Sequence, residues 1–528
     1  MNLHRFHVAP LSCLAIVVAS SFATVALADV KVPPFFSDHM VLQRETRAPV
    51  WGTAAPSEKV TVKFRDQQHA TTADKDGRWR VELTGLKAGG PDELSIAGNN
   101  TITLKDVLVG EVWVGSGQSN MAGTVASYAK DDKVLAHLAS ASHPMVRGCK
   151  ANVGWQVSTP ETNPAFSAIL FAFAVRLQEQ LNVPVGMMLG AVGGTPSGAW
   201  LSESALKEDA ASQALIAEYA KMYDATLKDF NERVLPAWQK GAEAAKAAGK
   251  PVGRQPSPPP KPGTASGRPA GYLFEAHLRP LVGYGVRGVL WDQGESGTAV
   301  GGVDQYTLMG ALIRGWRKEW GQGEFPFIYV QKYSGGGCAW DNANPVTSHG
   351  EAFARLPANQ PGYLDAVARA TDQGRYLETH IRIMQYPNVG MAISSDLGPN
   401  THPVNKSGYG SRAAAVGLGM TYGKPVEYYG PIYSSHTIEG NKVRIKFTHV
   451  GQGLTWRHGE KLQGFAIAGD DKNFVWADAE IDGDSVVVSS PDITKPASVR
   501  YAWAGKRPWA NLFNKDGLPA VTFRTDAW

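Results

Sequence analysis

Cysteine is scarce in this chain, with three in 528 residues. One of them, Cys13, precedes most of an N-terminal apolar stretch, so a processed protein would keep only Cys149 and Cys338. A disulfide between those two is permitted outside the cytoplasm, but nothing in their spacing requires one. No grouping of His, Asp and Cys has metal-ligand spacing, so neither a metal nor another cofactor is expected. Runs of Lys or Arg are also missing. The 52 basic and 48 acidic residues leave a formal net charge of +4, and no basic stripe interleaved with aromatics accompanies it, which argues against nucleic acid as a partner. Beyond the N-terminus no segment reaches the ~20 apolar residues of a membrane-spanning helix.

The first residues read as an export signal. Arg5 supplies the positive start, Leu11 to Val25 is mostly apolar, and Ala26-Leu27-Ala28 offers a cleavage site before Asp29. Residues 1–28 are therefore expected to be removed, and the protein to be periplasmic or secreted. At 528 residues the chain is too long for one core. From 29 to 106 short β runs such as Val60-Thr61-Val62-Lys63-Phe64 alternate with turns, which predicts a small β-sandwich-like domain. From 107 to 424 continuous apolar runs alternate with helix-period stretches. The strand candidates are Val107 to Val114, Val183 to Gly190, Val286 to Trp291, Phe325 to Val330 and Gly390 to Ile393. Helices are predicted over Ala165 to Gln180, Gln305 to Trp320, Tyr376 to Gln385 and Ser411 to Leu418. Strands apolar along their whole length are buried on both faces, so this region predicts an α/β domain of three layers with a parallel central sheet. Residues 203–271 interrupt it, first Ala/Lys/Glu-rich at helical spacing and then Pro-rich, with no chemistry visible. From 425 to 528 the pattern returns to β alternation, a second β-sandwich-like domain.

The segment Gly115-Ser116-Gly117-Gln118-Ser119-Asn120-Met121 directly follows the first strand candidate. A glycine-rich turn after a buried strand lifts a serine hydroxyl above the strand ends, and a following helix aims free N–H groups at a reacting carbonyl. Neither a dinucleotide turn nor a G-x-S-x-G elbow fits, because Asn120 and Met121 stand where those motifs need glycine. Serine needs a base, and His402 lies in another strand-end loop, on the face where open α/β sheets carry their sites. Two further strand-end turns, Gly193-Gly194-Thr195 and Asp292-Gln293-Gly294-Glu295, offer backbone donors, an amide and a carboxylate. Together these are the parts of an acyl-transfer site.

In these motifs the chain resembles the sialate O-acetylesterase family, long-form members of the SGNH-hydrolase superfamily. The matching stretches include Phe36-Ser37-Asp38-His39-Met40, Gly110-Glu111-Val112-Trp113, Gly117 to Met121, Gly193-Gly194-Thr195 with Trp200, Gln293-Gly294-Glu295-Ser296, His402-Pro403 with Asn405-Lys406, and Asn511-Leu512-Phe513-Asn514. The resemblance implies a metal-independent esterase that removes acetyl groups from O-acetylated carbohydrate. It makes Ser119 the nucleophile and His402 the general base. It assigns the oxyanion hole to the backbone N–H groups of Ser119 and Gly194 and the Gln293 side chain. Asn120, Asp292, Glu295 and Trp200 fall at the implied substrate cleft. The superfamily's acid before the histidine is missing, since Pro399 and Asn400 occupy its usual positions. Asp396, a backbone carbonyl or Glu295 are the alternatives for orienting the ring. Acetylated sialic acid and acetylated plant polysaccharide such as xylan are rival substrates, and a non-catalytic carbohydrate-binding protein is the competing class.

Overall fold

The computed structural model describes Met1 and residues 29–356, 371–399 and 401–528, with the backbone alone for 371–373. The expected export signal lies outside the described residues. Among those described, no helix is long and apolar enough to cross a membrane.

The centre of the molecule is a sheet of seven strands. Their order is Val389–Ala392, Phe327–Val330, Gly288–Asp292, Thr101–Gly117, Val185–Ala191, His143–Lys150 and Gly154–Ser158. All neighbours are parallel except the last pair. All five strands expected from apolar runs are present in this sheet. The edge pair His143–Lys150 and Gly154–Ser158 was not expected, because its half-exposed strands carry no continuous apolar run.

Helices cover both faces of the sheet. On one side, Ala168–Leu181 packs against Lys406–Met420. The contact is close because Gly410 lies directly on the backbone of Ile169 and Phe173, where a Cβ would collide. On the other side lie Gln305–Trp320 and Thr371–Ile383, with Trp316 set edge-on to Trp291 in the sheet. Local signals fix the helix ends. Ser167, Asp304 and Asn405 each accept an N-terminal backbone N–H, and Asn182 and Gly321 close two C-termini in the left-handed conformation.

The expected boundary at 106/107 falls inside one strand. Thr101–Gly117 pairs first with Gly89–Ala97 of the N-terminal β region and with Val41–Gln43, then enters the central sheet. Asp106, between the two parts, has a positive φ. One buried core accordingly runs from Val30 through Trp113 to Val416. The C-terminal β region is built differently, as two four-stranded sheets and the two-stranded pair Leu454–Trp456 with Leu512–Asn514, around a second core that includes Val443, Ile445, Phe465 and Tyr501.

Candidate active site

The strand Thr101–Gly117 ends where Gly117 adopts φ +128 and lies on the Asp292 backbone, leaving no room for a side chain. Gln118 N–H donates to Asp292 O at 2.8 Å, which ties this turn to the neighbouring strand end. The short helix Ser119–Ala122 follows, so the Ser119 N–H lies in a first helical turn, where backbone donors have no intrahelical partner. The Gly193-Gly194 backbone passes beside the serine, close enough that a Cβ on Gly193 would sit 3.6 Å from Ser119 Cβ.

Ser119 Oγ and His402 Nε2 are 2.8 Å apart, a hydrogen bond between residues 283 positions apart in sequence. A network beneath them fixes this approach. Asn120, fully buried beside the serine, donates to Thr401 O at 3.0 Å, the residue before the histidine. The buried Lys406 ammonium reaches Asn120 Oδ1 at 2.7 Å and Pro403 O at 2.6 Å, the residue after it. Asn405 caps the helix Lys406–Met420, and Ser407 donates through both its N–H and its hydroxyl to Asp132 at 2.8 Å. The serine turn and the histidine loop are therefore cross-braced at the positions flanking each functional group.

Charge is concentrated under this brace. Glu295, whose side chain is 14% exposed, accepts from Gln118 at 2.7 Å and Asn120 at 3.1 Å, and pairs with Lys332 at 2.8 Å. Lys332 also donates to Asp292 at 2.7 Å, with both side chains fully buried. Burial acts to lower the Lys332 ammonium, but the charges of Asp292 and Glu295 outweigh it and hold it above the ordinary lysine value. Burial raises the Asp292 carboxyl in spite of Lys332. Among the described residues Lys406 has no direct carboxylate partner, and burial brings it down to about 7.

Several expectations change with this geometry. Asp396 is fully buried and meets the Arg412 guanidinium at 3.0 and 3.3 Å, so its carboxylate anchors the loop to the helix Lys406–Met420. Among the described residues, no carboxylate meets the second ring nitrogen of His402. Glu295 is likewise engaged by Gln118, Asn120 and Lys332. Gln293 directs its amide N–H groups to Thr195 O at 3.3 Å and Gly297 O at 3.1 Å, and its oxygen accepts from Ser197, so it clamps the Gly193-Gly194-Thr195 turn to its own loop. Trp200 does not line a cleft. It is fully buried, bonded to Thr195 Oγ1 and set edge-on to Trp291. Asp292 and Asn120 are buried below the site, and of the four cleft candidates only Glu295 is partly exposed. Sequence reasoning missed Lys332, Asp132 and Arg412, and gave no role to Lys406 although it stands in one of the matching stretches. A lone lysine two residues after an apolar strand was the available signal for Lys332. Among the described residues, no group of three or more His, Cys, Asp or Glu side chains is placed to hold a metal ion.

A parallel α/β sheet whose strand-end loops bring together a serine, a histidine and a turn with bare backbone donors defines a hydrolase-like class. Within that class, the chain resembles the sialate O-acetylesterase family from end to end. It is 25% identical over 523 residues to the human sialate O-acetylesterase, covering 89% of this chain and 86% of that protein. The rat sialate O-acetylesterase is 26% identical over 522 residues, covering 89% and 88%. Among solved structures, XAC1771, a carbohydrate acetylesterase from Xanthomonas citri, superposes with a TM-score of 0.71 at 27% identity, covering 94% of this chain and 100% of that one. No protein-family model matches the chain. With fold and relatives in agreement over nearly its whole length, the protein is a carboxylic ester hydrolase.

Proposed function

We propose that the protein removes O-acetyl groups from carbohydrates through an acyl-enzyme on Ser119. The observation that carries this reading is the 2.8 Å bond between Ser119 Oγ and His402 Nε2, in a chain similar throughout to carbohydrate acetylesterases. His402 Nε2 takes the hydroxyl proton as Ser119 Oγ attacks the acetyl carbonyl. The backbone N–H groups of Ser119 and Gly194 receive the developing oxyanion, while Gln293 positions the Gly194 turn. The tetrahedral intermediate collapses as His402 passes the proton to the departing sugar oxygen, leaving acetyl-Ser119. Water then attacks that ester with His402 again as base, and acetate leaves. With no carboxylate on its second nitrogen among the described residues, His402 acts in a dyad with Ser119 whose geometry comes from the Asn120, Thr401 and Lys406 brace.

Hydrolysis of 4-nitrophenyl acetate, alongside acetate release from acetylated sialic acids and acetylated xylan oligomers, tests this reading. Ser119→Ala is expected to lower kcat by at least about 10³-fold, the scale on which a serine nucleophile is lost. Equal rates in the variant and the wild type would sink the serine mechanism. The glycan panel ranks the two substrate classes by acetate released.

A further inference from the structure

The 203–271 insertion shows no chemistry in its sequence, yet it forms one wall of a cavity that opens onto the candidate site. Its helix Ala210–Asp229 continues through a π-helical turn, Phe230–Val234, into Leu235–Ala247. The Pro-rich segment folds back on these helices. Tyr219 OH donates to Pro260 O and Trp238 Nε1 to Gly253 O, each at 3.1 Å. The far end of the insertion is tied to the loop after Glu295 by Ser266 N–H on Ala299 O at 3.2 Å and by a backbone bridge between Ala265 and Val300. Between insertion and site lies a cavity of about 940 Å³. Gly194 and Glu295 line it from the site, and Tyr223, Arg254, Pro259 and Lys261 from the insertion.

Its volume lies near the top of the ~300–1,000 Å³ range of small-molecule sites, well beyond what an acetyl group fills. Two cations of the insertion, Arg254 and Lys261, line the cavity. Among the described residues no carboxylate pairs with Arg254 or Lys261, and both are exposed. Tyr223 also lines the cavity and is half-buried. The prolines limit the freedom of the segment bearing Arg254 and Lys261, so less order has to be imposed when a ligand binds.

We propose that this cavity holds the sugar residues flanking the acetylated one, and that the preferred substrate is an oligosaccharide bearing a carboxylate on such a neighbouring residue. Arg254 and Lys261 pair with that carboxylate, and Tyr223 packs against a pyranose face. The proposal rests on the esterase reading of Ser119 and His402. The test compares kcat/KM on an acetylated oligosaccharide containing a uronic acid, on the same chain with a neutral hexose in its place, and on 4-nitrophenyl acetate. The wild type is expected to favour the acidic chain about tenfold through KM, and the double variant Arg254→Ala/Lys261→Ala to lose that preference. Tyr223→Ala should weaken both chains, and all these variants should keep wild-type rates on 4-nitrophenyl acetate. Equal kcat/KM on the two chains in the wild type, or a double variant that keeps the preference, overturns the proposal. If Ser119→Ala leaves 4-nitrophenyl acetate hydrolysis intact, it is the esterase reading that fails. The cavity is still judged then by calorimetry with the deacetylated acidic chain, whose affinity should fall about tenfold in the double variant. Unchanged affinity there overturns the proposal.

Discussion

His402 receives its orientation from backbone contacts on either side of it. Asn120 holds Thr401 O and Lys406 holds Pro403 O, so the ring is carried by a loop clamped at both flanks, while Asp396 faces Arg412. Replacing Asp396 should therefore act on the fold of the loop more than on proton transfer. Asp396→Asn is expected to lower kcat on 4-nitrophenyl acetate by less than about tenfold, against the ~10⁴ carried by an acid that orients a triad histidine. It should also lower stability, because the buried Arg412 loses its counter-charge. A loss of activity near 10⁴ in a folded variant would restore Asp396 to the orienting role. Sequence reasoning placed Ser119 and His402 on strand-end loops, where they meet. It could not choose among three orienting groups, because that choice depends on which side chains turn toward the ring.

At the scale of elements, the long strand Thr101–Gly117 is the member on which the N-terminal region and the α/β sheet both depend. Glu111 near its middle has no exposed surface and gathers Arg44 at 2.5 Å, Arg287 at 2.6 Å and Gln43 at 3.0 Å. These partners come from the strand Val41–Gln43, the residue directly after it and the approach to Gly288–Asp292, so one carboxylate fastens three elements. Burial alone would raise the Glu111 carboxyl, but the hydrogen bonds and charge of Arg287, with Gln43 and Arg44, hold it below its ordinary value of 4.5. Glu111→Gln is expected to cost about 3 kcal/mol in urea unfolding at neutral pH, the low end for breaking a buried pair because both guanidinium groups are partly exposed. The folded state holds this proton less readily than the unfolded chain. The carboxylate's contribution is thus complete above about 4.5 and is lost as pH falls through the folded value. The wild type's advantage over Glu111→Gln should shrink across that acid range, and a constant difference would count against the assignment. The strand itself was legible as an apolar run. Its extension back to Thr101 was not, since the polar residues there alternate like those of a separate β domain.

In the whole molecule, two cores are joined along the segment 336–354. Arg507 N–H donates to Gly336 O at 2.6 Å, His458 meets Ala339 O at 2.8 Å, and Gln463 donates to Ala354 O at 3.1 Å, so the C-terminal sheets grip a loop leaving the central sheet. Cys338 sits in this grip with its thiol on Ala510 O at 3.2 Å. It and Cys149 are both free and buried, not bridged. Burial raises both thiols, that of Cys338 to about 12 and that of Cys149 further. Neither should react with a thiol reagent at pH 8 in the folded protein, and both should react in denaturant, as read by peptide mapping. Rapid native labelling of Cys338 would show that the grip opens. By itself the sequence determined the α/β class, five of the central strands, and the loops that carry Ser119, Gly194, Gln293 and His402. These follow from hydrophobic runs and turn residues, which act locally. Only the tertiary structure decided that Asp396 turns to Arg412, that Trp200 is buried, that Lys406 braces the histidine loop and that the insertion walls the site. Each of these depends on contacts between residues far apart in sequence, where burial of a charge or an aromatic ring is settled by what packs against it.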